Sequence, residues 1–183
     1  FDSKKDTEVI NFNRLNELIK KKPPKLVVLT HLNGQANYNS DFNILKKKYK
    51  FFVVEDAAQA LLSRSDDGEY CGTKYDVGCF SLSITKPINM IYGGFCVTNS
   101  KKIHDKLIAI RNNGVNAEPE NARLELASEL GLNLKPSDLH ASIGLINLNS
   151  RNTRVKNLKK ILNYYQKNIN NKKVNFLSVE GKN

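Results

Sequence analysis

The chain has 183 residues, 40% hydrophobic and 26% charged, with a formal net charge of +11. That length supports one sizeable hydrophobic core, and the composition belongs to a folded chain rather than a disordered one. No apolar run approaches the roughly 20 residues needed to cross a bilayer, and no basic-then-apolar leader opens the sequence, so neither a membrane partner nor a secretory signal is expected. The chain begins at Phe1 and its one methionine is Met90, which points to a processed or partial chain. Cys71, Cys79 and Cys96 have no CxxC spacing, and His31, His104 and His140 are scattered. The expectation is free thiols in a reducing, cytoplasmic compartment and no metal site. The positive charge raises nucleic acid as a partner. However, the basic residues cluster in stretches such as "NELIKKK", "ILKKKYK" and "VKNLKKIL", where helical spacing makes them a solvated face, and no nucleic-acid partner is expected.

Taken in order, the apolar spacing alternates helix and strand. Asn13 to Lys21 is an amphipathic helix with Leu15, Leu18 and Ile19 on one side, stopped by Pro23-Pro24. "KLVVLT" (25–30) is a continuously apolar strand. "SDFNILKKKY" follows as a helix, with Ser40 as its N-cap and Phe42, Leu45 and Tyr49 as its buried stripe. "FFVVED" (51–56) is a second apolar strand that ends in two acids. "GCFSLS" and "GGFCVT" are further buried strands on either side of Lys86. Ser100 caps a helix over "KKIHDKLIAIRNNG", Ser137 caps one in "PSDLHASIGLINL", and a basic helix runs from about Thr153 to Ile169. The tail "KKVNFLSVEGKN" begins a new strand.

Strands apolar on both faces, alternating with helices, predict an α/β fold with a mostly parallel sheet between helix layers. Residues 1–150 form the layered segment, and 151–183 a helix leading toward a further, C-terminal domain. In such sheets ligands sit beyond the carboxyl ends of the strands. Asp56 and Lys86 fall there. Lys86 is also the lone charge in the apolar stretch from Val77 to Ser100. An amine in apolar surroundings is poised to become a nucleophile, and a carboxylate at a buried strand end needs a cationic partner. Pyridoxal phosphate uses both, an amine for its aldehyde and a carboxylate for its ring nitrogen. The same residues also have plain structural readings, Asp56 as a cap and Lys86 as a side chain reaching to solvent.

The segments "VVEDAAQALLS", "GTKYDVGCFSLSITKPI", "GGFCVTN", "IRNNGV" and "LGLNLKPSDLHASIGLINL", in this order, resemble the DegT/DnrJ/StrS family of nucleotide-sugar aminotransferases. These are fold-type I pyridoxal-phosphate enzymes, so the resemblance implies the large domain of that fold without its N-terminal and C-terminal parts. It implies that Lys86 forms the Schiff base and shuttles the proton, and that Asp56 pairs with the pyridinium nitrogen. It further assigns Gln59 to the ring's phenolic oxygen, Ser81 to the phosphate, and Asn133 to the phosphate of a neighbouring subunit's cofactor, hence a homodimer with shared active sites. The substrates implied are a keto-deoxysugar nucleotide and an amino-acid donor, commonly glutamate. Relatives that dehydrate sugars instead carry histidine at the position of Lys86, and a catalytically silent or regulatory relative is a further alternative. Lys135 and Leu132 depart from the family pattern, which affects the substrate-side contacts. Without the missing parts, weak cofactor retention and little turnover are expected. His31 is read as a structural residue at a strand end.

Overall fold

The computed structural model describes residues 3–4, 9–115, 127, 129–174 and 176. Helix α1 (Phe12–Lys21) starts where the Asn11 side chain accepts the Arg14 N–H at 3.1 Å. Its buried residues, Phe12, Leu15, Asn16 and Ile19, recur at helical spacing. Strand β1 (Leu26–Thr30) leads through a short turn, Leu32–Gly34, into α2 (Ser40–Tyr49). The cap of α2 is Asn39 rather than Ser40, because the Asn39 side chain accepts the Phe42 N–H at 2.9 Å. Two adjacent residues of capping type leave the sequence undecided by one position.

Strands β2 (Phe52–Asp56), β3 (Val77–Ser81) and β4 (Gly94–Val97) complete one sheet in the order β1-β2-β3-β4. The β1/β2 and β2/β3 pairs are parallel, and β3/β4 is antiparallel. The helices α3 (Lys101–Arg111), α4 (Asp138–Asn149) and α5 (Arg151–Asn168) follow. Ser100 and Ser137 cap α3 and α4 through their side chains, as their spacing predicts. Of the tail where a new strand is expected, residues 172–174 and 176 are described and are not in a strand, and the rest lies outside the described residues.

The core fills the space between the sheet and α1 and α2. Phe12, Leu15 and Ile19 of α1, and Phe42 and Leu45 of α2, close over Val27, Leu29, Phe51 and Val53. Phe42 is fully buried and meets Phe12, Phe51 and Tyr75 edge-on, with centroids 5.8, 5.5 and 5.8 Å away. The continuous apolar runs suit a sheet covered on both faces, but among the described residues the second face is open at Leu26 (51% exposed), Val28 (51%) and Phe52 (57%). That face also carries the outward residues of the strand ends. Register places Thr30, Asp56, Cys79 and Cys96 in one row across the four strands.

One close approach fixes how β3 enters the sheet. A Cβ at Gly78 would lie 1.8 Å from the Gly72 carbonyl oxygen, and a Cβ at Gly72, where φ is +84°, would lie 2.4 Å from the Phe80 ring. Only glycine permits the two backbones to meet here.

Truncating Phe42 to alanine removes the ring that α1, α2 and the start of β2 share. Phe42→Ala should therefore lower stability by about 3–5 kcal/mol, read as a drop in the urea midpoint. A cost below about 1 kcal/mol would mean that the three ring contacts do not hold the layers together.

Candidate functional site

Asp56 closes β2 on the open face of the sheet, half-buried, with its Oδ1 accepting the Ala58 N–H at 3.1 Å. No helix follows directly; the chain passes through turns, and Gln59 comes back beside the Leu32–Gly34 turn. There its Oε1 accepts the Asn33 N–H at 3.0 Å. Asn33 has φ of +50°, so this bond helps hold a left-handed residue in place.

Ser81 ends β3 two residues beyond Cys79, the register partner of Asp56, so Ser81 and Asp56 share a face. The Ser81 hydroxyl donates to Ser83 Oγ at 3.2 Å and accepts the Ser83 N–H at 3.3 Å. The loop that follows carries Lys86. Its N–H donates to the Ser83 carbonyl at 2.9 Å, and its own carbonyl accepts Asn89 Nδ2 at 3.2 Å. Asn147 of α4 donates in turn to the Asn89 carbonyl at 2.8 Å, so a helix from the far end of the chain holds the loop. Lys46, Lys74, Lys101 and Lys106 all find carboxylates. The half-buried Lys86 forms no side-chain ion pair or hydrogen bond with another described residue.

A cavity of about 310 Å³ brings Gln59, Ser81 and Lys86 together with Asn33 and Pro87. Asp56 does not line it directly but stands at the end of the neighbouring strand, on the same face as Ser81. Asn133 lies elsewhere. It bridges to Asn112 just beyond α3, exposed and outside this cavity. Asn33 was not singled out by sequence, because a turn asparagine carries no chemical signature until its neighbours are known. Among the described residues no cluster of three or more histidine, cysteine or carboxylate side chains could hold a metal ion.

The residue before Asp56 organises the site from the opposite face. Glu55 is fully buried, and five donors converge on its carboxylate. His31 Nε2 lies 3.0 Å away and Tyr38 Oη 2.6 Å, and the backbone N–H groups of Gly72, Lys74 and Tyr75 lie 2.9, 2.8 and 2.7 Å away. His31 Nδ1 accepts the Asn37 N–H at 3.0 Å, which leaves the ring proton on Nε2, directed at Glu55. His31 is thus a structural residue at the end of β1, as its position in the sequence suggested. Burial raises the pKa of Glu55. The hydrogen bonds from His31, Tyr38 and the Tyr75 backbone outweigh burial and hold the pKa below the ordinary 4.5. Burial, then the Glu55 carboxylate, pushes the Tyr38 phenol well up, so it remains a donor.

A family model for the DegT/DnrJ/EryC1/StrS aminotransferases matches residues 1–182. The chain belongs to this family. In sequence it is 29% identical, over 92% of its length, to a GDP-perosamine synthase from Escherichia coli O157:H7, covering 45% of that protein. It is 32% identical to a UDP-4-amino-4,6-dideoxy-N-acetyl-beta-L-altrosamine transaminase from Campylobacter jejuni serotype O:2, over 73% of this chain and 35% of that one. In structure it resembles a Helicobacter pylori aminotransferase of pseudoaminic acid biosynthesis, with TM-score 0.80 and 24% identity over 94% of this chain and 46% of that one. It also resembles an E. coli GDP-4-keto-6-deoxy-D-mannose-3-dehydratase with bound hydrated pyridoxal phosphate, with TM-score 0.73 and 20% identity over 94% and 48% of the two chains. The fold is that of these pyridoxal-phosphate enzymes. The chain spans about half the length of the relatives it matches.

For this family member the Glu55 cage predicts a specific pH dependence. A carboxylate whose folded pKa is depressed contributes stability above its unfolded value, and the contribution is lost as pH falls through the folded value. Glu55→Gln leaves one acceptor oxygen for five donors and should cost roughly 3 kcal/mol at neutral pH. The gap in urea stability between wild type and Glu55→Gln should then narrow as pH drops below about 4. A gap that stays constant down to pH 3 would show that the ionised form is not what the donors stabilise.

Proposed function

We propose that this chain is the cofactor-holding segment of a pyridoxal-phosphate-dependent sugar aminotransferase. It would transfer an amino group from an amino acid, glutamate by family resemblance, to the ketone of a nucleotide-linked deoxysugar for aminosugar and polysaccharide biosynthesis. The observation that carries the reading is the cavity in which Lys86, free of any carboxylate among the described residues, stands with Gln59 and Ser81 beside the strand end bearing Asp56.

Pyridoxal phosphate, when bound, supplies an aldehyde that accepts amines and a cationic ring that withdraws electrons. The donor set fits it: an amine, a carboxylate, a hydroxyl and a carboxamide on one edge of the sheet. Lys86 Nζ is the amine that attaches the cofactor. No carboxylate among the described residues pairs with it, so the amine is open to the cavity, where it would also be the base that moves a proton at the reacting carbon. Asp56, with one oxygen on the Ala58 N–H, accepts the ring N–H and keeps that proton in place. Ser81 binds the phosphate through its hydroxyl. Gln59, oriented by the Asn33 backbone, lies against the phenolic oxygen.

Asn133 stands outside this cavity. That position suits a role toward the cofactor of a second subunit, in a homodimer with shared active sites. The segment 151–183 then leads toward a small C-terminal domain. Lysine at 86, where the dehydrating relatives carry histidine, favours amino transfer over dehydration. A cytoplasmic location accords with free thiols at all three cysteines.

Borohydride reduction after incubation with excess pyridoxal phosphate should place the phosphopyridoxyl label on Lys86, located by peptide mapping. Lys86→Ala should lose both the label and the yellow colour. Asp56→Ala should weaken retention at least tenfold, the effect of losing one charge-assisted hydrogen bond of about 1.5–3 kcal/mol. Label spread over surface lysines and unchanged in Lys86→Ala would overturn the reading.

A further inference from the structure

Beside the proposed cofactor site, the open face of the sheet carries a second pair of reactive side chains. Cys79 on β3 and Cys96 on β4 are register partners, with their sulfurs 3.7 Å apart. The Leu82 N–H donates to the Gly93 carbonyl at 2.9 Å, which makes 82/93 a hydrogen-bonded pair. Alternation along antiparallel strands then makes 80/95 hydrogen-bonded and 79/96 non-hydrogen-bonded, the class in which facing side chains stand closest. Its ordinary Cα separation of about 4.5 Å lies within the range that a disulfide spans.

The two thiols are free and unequal. Cys96 is exposed and Cys79 is half-buried. Burial, then the neighbouring Cys96, pushes the Cys79 thiol up to about 11. Cys71, the third thiol, is buried in a separate cluster with Ala57, Ala60 and Phe80.

We propose that Cys79 and Cys96 form a redox modification site, a cross-strand dithiol that closes to a disulfide by exchange with a small-molecule disulfide. Cys96, as the thiolate, attacks one sulfur of the small disulfide and expels one small thiolate, leaving a mixed disulfide. Cys79 gives its proton to solvent and attacks the Cys96 sulfur, expelling the second. The protein loses two protons and two electrons, and the small disulfide is reduced to two thiols. The new bond staples β3 to β4 two register pairs short of the loop 82–93, which carries Lys86, and it sits on the residue paired in register with Asp56. Oxidation therefore stiffens the lysine loop. The link to cofactor chemistry rests on the proposed function, but formation of the bond does not.

The folded chain is incubated with oxidised glutathione, and its thiols are counted in denaturant before and after. Titratable thiols should fall from three to one, peptide mapping should join 79 to 96, and dithiothreitol should restore all three. A stable glutathione adduct on Cys96 alone, a bond to Cys71, or three persisting thiols would overturn the proposal. Hydrogen exchange of residues 82–93 should slow in the oxidised form, and unchanged exchange there would overturn the coupling to the lysine loop. Both readouts are independent of cofactor binding, so a failure here is distinct from a failure of Lys86 labelling.

Discussion

The structure depends on burying one negative charge. Glu55 lies fully inside, and an ionised carboxylate there is tolerable only because five donors satisfy it. Those donors come from the end of β1, from the segment entering α2, and from the loop leading into β3. The carboxylate therefore ties together three parts of the chain whose rings also pack on one another, Tyr38 against both His31 and Tyr75. It also determines where its neighbour goes. Residues in a strand alternate faces, so holding Glu55 inward directs Asp56 to the open face, where the site is.

The site is then assembled from elements of different rigidity. Asp56 and Ser81 stand on strand ends, while Gln59 and Lys86 stand on turns that are tied down separately. The Gln59 turn is held through the Asn33 backbone, and the Lys86 loop through Asn89 and Asn147. Lys86 is consequently positioned by main-chain and amide hydrogen bonds, with no counter-ion among the described residues to lock its amine. That separates it from Lys46 and Lys74, whose charges are neutralised by Asp76 and by Asp67 and Glu69.

Much of this was legible in the residues themselves. A single lysine in an apolar stretch and an acid after "FFVVE" are both anomalies of burial, and both lie where the sheet can use them. The stripe of Phe42 and Leu45 and the caps at Ser100 and Ser137 follow from spacing. The Glu55 cage was not legible, because three of its five donors are backbone N–H groups in "GTKY", which every residue but proline offers. The pairing of Cys79 with Cys96 was hidden for another reason. It depends on the register of an antiparallel pair, which is fixed only once the loop carrying Lys86 closes. Asn39 displaced Ser40 as the cap because both side chains can accept the same class of N–H.

The cage also sets an order of events during translation. Strand β2 leaves the ribosome with its acid well before residues 72–75 emerge, and until they arrive that side chain lacks three of its partners. Sealing β2 early would strand a charge in oil, so the nascent chain has reason to keep this edge hydrated. Burial of that charge with all its partners thus waits on a short run of loop amides rather than on any helix.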